Sequence, residues 1–173
     1  DSYINYAENL LQFDGADTAM VFRNEKGTER SITRDELRAR VSKWQQALRD
    51  LGVVKGDRVA GYMPNMPETI IAALAAISLG AIWSSASPDF GVQGVLDRFG
   101  QIEPKILIAV EGYFYNGKTI DCMPKINEFL PQLPTVEECV VISYANDNPT
   151  LSENMILWTD VQGTYTAQDI EFT

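Results

Sequence analysis

Four short runs do most to limit what this chain can fold into: Asp57 to Met63, Ile82 to Ser84, Lys105 to Val110 and Cys139 to Ser143. Their centres are apolar without alternation. A strand with one wet face alternates polar and apolar residues, so runs like these belong to a sheet covered on both sides. Stretches of helical period separate them, and strands alternating with helices build parallel βαβ units. The predicted fold class is therefore α/β, a three-layer structure with a mostly parallel sheet and helices on both faces. Outside this pattern, Ser2 to Gln12 reads as a helix. Thr18 to Asn24 and Glu29 to Ile32 read as strands about an Asn24-Glu25-Lys26-Gly27 turn. Met155 to Trp158 reads as a further strand, and Asp160 onward is weakly helical.

Helix boundaries are written in the residue types. Thr33-Arg34-Asp35-Glu36 fits a capping box, in which Thr33 and Glu36 satisfy each other's amides. The helix that follows carries Leu37, Val41, Trp44, Leu48 and Leu51 on one stripe, and Gly52 sits where a left-handed cap ends it. Pro67 opens a helix that runs to about Leu79, and its IIAALAAIS composition requires burial on more than one side. Ser87-Pro88-Asp89 is predicted to open a helix from Phe90 to Ile102. Ser87 would cap the amides, Pro88 would take the first position, and Asp89 would face the positive end of the dipole. Met123 to Leu130 is predicted as the next helix.

At 173 residues the chain is one domain or one piece of a larger one. Its net charge of −10 argues against nucleic acid or an anionic membrane as a general partner. The longest apolar run, Ile70 to Ile77, is too short to span a bilayer. Cys122 and Cys139 lie in no CxxC motif and read as reduced thiols of a cytoplasmic protein. Histidine is absent. The Ser-His-Asp triad, the Cys-His pair and the HExxH zinc site are therefore excluded within this chain, and no metal ligands are assigned.

One strict motif remains. Gly112-Tyr113-Phe114-Tyr115-Asn116-Gly117-Lys118-Thr119 satisfies GxxxxGK[ST], the phosphate-binding P-loop, and follows a predicted strand. Asp160 would be its acidic magnesium partner. Its interior is bulky, and Pro124 stands within the helix that would have to hold the anion. A nucleotide-binding P-loop domain therefore stands as an alternative, as does an α/β binding module without chemistry.

The segment IWSSASPDFGVQGVLDRFGQIEPK, with SYINYAENLL, LRDLGVVKGDRVAGYMPNMPE and EGYFYNGKTID, resembles the acetoacetyl-CoA synthetase family of adenylate-forming ligases. VKGDRVAGYMPNMPE is general to that superfamily, whereas SSASPDFG and GYFYNGK point to the acetoacetate branch rather than to the acetyl- or propionyl-CoA synthetases. The resemblance implies part of the large N-terminal domain of a ligase that uses ATP, Mg2+ and coenzyme A. The substrate acid would be activated as an acyl-adenylate before the thiol of coenzyme A displaces AMP. It also implies that Trp83, Ser84 and Ser85 line the approach of coenzyme A and that Lys118 meets its phosphates. The family has a first basic position in that last segment, and here Phe114 and Tyr115 stand in its place. Trp83 has a second reading as a core residue, and Lys118 as a solvated surface lysine. The family's Ser/Thr/Gly-rich phosphate loop and its C-terminal lysine have no match. The expectation is residues 1–173 as an N-terminal α/β subdomain, inactive without the rest of the ligase chain.

Overall fold

The computed structural model describes residues 4–173. Its centre is a five-stranded, wholly parallel sheet. The strands are β3 (Arg58–Tyr62), β4 (Ile82–Ala86), β5 (Ile106–Val110), β8 (Glu138–Ile142) and β9 (Met155–Leu157), in the order β4-β3-β5-β8-β9. The four runs of uniform apolarity supply the first four of these strands. All five residues of β5 are buried, which is what a strand roofed on both faces requires.

The connections explain the layers. The chain leaves β3 through α3 (Pro67–Ser78) to reach β4 on one side, then returns through α4 (Val92–Ile102) across β3 to β5. Right-handed crossovers running in opposite directions put α3 and α4 on opposite faces of the sheet. Helix α2 (Arg34–Asp50) packs on α3, and α5 (Met123–Phe129) packs on α4. The core fills between these layers. Tyr62 and Phe129 meet edge to face at 5.2 Å, and Phe99 is fully buried.

Several local signals act as expected. Thr33 Oγ1 accepts from the Glu36 amide at 3.2 Å and the Glu36 carboxylate accepts from the Thr33 amide at 2.9 Å, so the capping box is formed. Leu37, Val41, Trp44 and Leu48 are buried, and Gly52 has φ 78° beyond the last turn of α2. The first helix is shorter than its pattern. Asn5 caps α1 (Tyr6–Leu10), and the expected start at Ser2 lies outside the described residues. Strands β1 (Thr18–Arg23) and β2 (Glu29–Thr33) form an antiparallel hairpin beside the main sheet. After β9, Trp158–Val161 forms a four-residue helix, α6, two residues ahead of the expected helical start at Asp160, and beyond a 3-10 turn at Gln162–Thr164 residues 165–173 have no regular structure.

Two expectations are corrected. Ser87-Pro88-Asp89 does not begin α4, whose N-cap is Gly91 with no side-chain bond. Those residues form a separate β-turn closed by the Phe90 amide on the Ser87 carbonyl at 3.0 Å, with Pro88 at the position where its fixed φ suits a turn. The P-loop pattern is likewise not a P-loop. Gly112–Tyr115 (β6) and Lys118–Asp121 (β7) pair antiparallel around Asn116-Gly117. Both turn residues have positive φ, 50° and 73°, the requirement of a two-residue hairpin turn. Lys118 and Thr119 lie in β7, not at the start of a helix that could receive a phosphate. Pro124 lies in the first turn of α5, where its missing N–H leaves no bond unmade. Gly112 is needed at the hairpin base for space. A Cβ there would stand 2.7 Å from the Ile120 carbonyl oxygen.

Replacing Thr33 by Ala should remove about 1 kcal/mol of stability by leaving a first-turn amide of α2 unsatisfied. Urea unfolding checks this, and an unchanged midpoint would contradict it.

Candidate functional site

In an open parallel sheet, ligands gather outside the carboxyl ends of the strands, where neighbouring connections leave toward opposite faces. Here that place lies where β3, β4 and β5 end, because β3 feeds α3 on one face while its neighbours feed α4 and α5 on the other. The residues emerging there hold one another in a polar lattice. Tyr62, the last residue of β3, donates its hydroxyl to the carbonyls of Pro88 (2.8 Å) and Phe90 (3.2 Å). Lys125 of α5 donates to the same Pro88 carbonyl at 3.1 Å. Tyr113 of β6 donates to the Asp89 carboxylate at 2.6 Å, and Ser87 Oγ donates to the other oxygen of Asp89 at 3.0 Å. Side chains from three elements thus fix the Ser87–Phe90 turn.

Burial shapes the titration of these groups. It is the largest influence raising the Tyr62 and Tyr113 phenols, and for Tyr113 the bond to Asp89 adds to it. Both therefore stay protonated as donors. Burial also pushes the Cys122 thiol up to about 12, against a smaller downward pull from Lys125. Cys139 is likewise buried and pushed up to about 12. Neither cysteine offers a thiolate nucleophile near neutrality.

Glu111, directly after β5, is the one buried acid among the described residues. Its carboxylate accepts the amides of Tyr144, Ala145 and Asn146, and so fastens the loop after β8 to the end of β5. Desolvation outweighs those three bonds and raises its pKa above the ordinary 4.5. The carboxyl is an anchor, since its hydrogen bonds among the described residues come from the amides of that loop.

The residues expected at a ligand are divided by the fold. Trp83, Ser84 and Ser85 lie together on β4, an outer strand of the sheet, paired on one side only with β3. Ser85 is exposed and Ser84 half-buried. The Trp83 ring packs onto the core across Gly61, where a Cβ would stand 2.5 Å from the indole. Lys118 is elsewhere, exposed beside the tip of the β6–β7 hairpin. That tip docks on the turn of the β1–β2 hairpin, with the Asn116 and Gly117 amides donating to the Glu25 carboxylate at 2.8 and 3.1 Å. Among the described residues, no hydrogen bond or ion pair joins Lys118 to the β4 residues. The cation at β4 is Arg98 of α4, which donates to the Ser85 carbonyl at 2.9 Å and lies over the Phe90 ring at 5.1 Å. No spacing rule connects Arg98 with Ser85. Only the crossover from β4 to β5 brings them together.

A profile of the family described as AMP-binding enzyme matches residues 8–167. The chain is 53% identical over 154 residues to the acetoacetyl-coenzyme A synthetase of Rhizobium meliloti (strain 1021), covering 88% of this chain and 23% of that protein. It is 47% identical over 145 residues to the acetoacetyl-CoA synthetase of Mus musculus, covering 83% and 22% respectively. Among solved structures it superposes on the acetoacetyl-CoA synthetase from Streptomyces lividans with a TM-score of 0.89 and 34% identity, covering 98% of this chain and 26% of that one. The chain thus spans about a quarter of the length of the relatives it matches.

Glu111→Gln should expose the burial of the carboxyl as a pH effect. A carboxyl whose folded pKa is raised contributes its stability below the unfolded value and loses it as pH rises through the folded one. From neutrality down to pH 4.5, the wild type should therefore gain stability relative to the glutamine variant, which does not titrate there. Parallel urea midpoints across that window would contradict the assignment.

Proposed function

The chain belongs to the AMP-binding enzyme family, and from that membership we propose that it is the N-terminal α/β part of an ATP-dependent ligase joining acetoacetate to coenzyme A. The observation that carries the reading is the identity of 53% over 154 residues to an acetoacetyl-coenzyme A synthetase, supported by the backbone match to a second one. In such a reaction, acetoacetate attacks the α-phosphate of ATP. Pyrophosphate leaves, and the acyl-adenylate then gives its acyl group to the thiol of coenzyme A while AMP departs. The substrates are small molecules, and the proposed location is the cytoplasm. Among the described residues, no helix is long and apolar enough to cross a membrane.

The chain's own residues serve binding rather than bond-making. Among the described residues, no group of three His, Cys, Asp or Glu side chains could hold a metal. The magnesium that the reaction uses would be held largely by the ATP phosphates with one or two carboxylates, and no residue of this chain is assigned to it. The open edge of β4 suits an elongated ligand. Ser84 and Ser85 are small enough for close approach, Trp83 supplies a fixed wall, and Arg98 stands at the Ser85 carbonyl. In this reading, β4 forms one side of the coenzyme A approach and the Ser87–Phe90 turn keeps it in place. Lys118 would reach a phosphate as a mobile point charge from the hairpin.

Residues 1–173 alone should form no acyl-adenylate from acetoacetate and ATP, and detectable pyrophosphate exchange would overturn that expectation. The intact mass of the native gene product tests the reading most directly. A mass several times 19.3 kDa fits the ligase, whereas 19.3 kDa would sink it. In that native product, Arg98→Gln and Lys118→Gln should each raise the KM for coenzyme A severalfold, on the order of the loss of one charged contact, with the KM for ATP unmoved. An unchanged KM for coenzyme A would remove the residue from the site.

A further inference from the structure

A second feature at the carboxyl edge of the sheet lies on the α2–α3 face, apart from β4. It is an open cleft of about 430 Å3. Its floor is the end of β8 at Ile142, Ser143 directly after it, and the first residue of α6, Trp158. Its walls come from α2 and the first turns of α3.

The charges that line it balance by count, but one of the acids is neutralised by a base outside the lining. Two acids and two bases line the cleft: Glu36, Glu68, Arg40 and Lys43. Both acids are already engaged. The Glu36 carboxylate accepts the Thr33 amide in the capping box. Glu68 is held by both Arg30 terminal nitrogens, at 2.8 and 3.0 Å. Among the described residues, neither Arg40 nor Lys43 has an ion-pair partner, although the protein as a whole carries a net charge of −10. With Glu68 neutralised by Arg30, the two cations Arg40 and Lys43 face one carboxylate, Glu36, and the cleft keeps a net charge of +1.

A third observation is independent of charge. Ser143 lines the cleft, and its hydroxyl is the single buried side-chain oxygen or nitrogen without a hydrogen-bond partner among the described residues. A buried hydroxyl without a partner is unfavourable, so this one, in the same cleft as two cations without ion pairs, points to a partner from outside the described residues. A single ligand that serves all three groups must accept hydrogen bonds, because Arg and Lys supply only donors and the hydroxyl can turn its proton to the same ligand. The stacked indoles of Trp44 and Trp158, 3.8 Å apart, make a rigid wall at the same place.

We propose that this cleft binds a small oxyanion, a phosphate or carboxylate group, through Arg40, Lys43 and the Ser143 hydroxyl. The site is distinct from the β4 edge and does not rest on the ligase reading. An oxyanion supplies what all three groups lack, negative charge for the cations and an acceptor for the hydroxyl.

The indole N–H signals of the 173-residue chain test this, because two of its three tryptophans border the cleft and Trp83 serves as an internal control. Each signal is assigned by a Trp→Phe variant. The chain is titrated with inorganic phosphate and, separately, with acetate, against chloride at matched ionic strength. Saturable shifts of Trp44 and Trp158, with Trp83 still, are expected for at least one anion, and which of the two saturates identifies phosphoryl or carboxylate recognition. Arg40→Gln with Lys43→Gln should weaken that binding at least about fivefold, the scale of losing partly exposed charge contacts. Ser143→Ala should weaken it without moving the spectrum of the free protein elsewhere. Shifts matched by chloride, shifts that include Trp83 equally, or binding indifferent to the double substitution would overturn the proposal. Retained dispersion of the remaining spectrum shows that each variant folds.

Discussion

Everything in this structure depends on the double coverage of β5. A strand with no solvent face can spend no position on a polar side chain. Its backbone groups must then find their partners in the ladders on either side. Ile106 to Val110 meets both demands, pairing with β3 along one edge and β8 along the other. A central parallel strand also forbids tight hairpin links to its neighbours in the sheet, so each connection must climb over a face. The helices α3, α4 and α5 are those climbs. Once they are placed, polar chemistry has one region left, the carboxyl edge where the loops emerge.

That edge is held by side chains that sit inside the protein but address only backbone or one another. Tyr62 is wholly buried, and its hydroxyl serves two carbonyls of the following turn. Glu111 spends its charge on three amides of another loop. Loop backbone cannot be buried without partners, and these residues provide them from the ends of strands. Their chemistry is therefore committed to shape. The groups still free to meet a ligand lie on the periphery, at the β4 edge, at the hairpin and in the cleft beside α2.

Burial and period carried most of the fold in the sequence. The apolar stripe of α2, its capping box and the glycine after it translate directly into the structure, and all four runs become strands, though Ile82 to Ser84 forms the outer strand β4 with Ile82 exposed rather than covered on both faces. What stayed hidden was long-range. Ser42 and Gln45 interrupt the apolar pattern of α2 and are themselves buried, because they receive the returning end of the chain. Gln45 donates to the Glu171 carbonyl and to Ser78, and Ser42 accepts the Gln168 amide. Two polar residues inside a buried stripe were the available signal, but Glu171 and Gln168, which they receive, lie 126 positions away. The candidate site was legible in the same uneven way. The β4 residues stand together as their adjacency requires. Their distance from Lys118, and their nearness to Arg98, follow only from the order of strands in the sheet.

The hairpin at Gly112 shows why spacing alone cannot define a phosphate site. A P-loop needs its two glycines so that successive amides can turn inward on one anion, with a helix N-terminus behind them. In this chain both glycines are used for other reasons. Gly112 is small because the Ile120 carbonyl passes close to it, and Gly117 takes the left-handed place in a two-residue turn. The intervening Tyr113, Phe114 and Tyr115 then alternate across the ribbon. Tyr113 turns inward to Asp89, and Phe114 meets Tyr144 at 5.2 Å. The amides at the tip do bind an anion, but it is the Glu25 carboxylate of the chain itself. Alternating aromatic residues ahead of an Asn-Gly pair are a strand-and-turn signal, and here local backbone preference outweighs a motif defined by two glycines and a lysine.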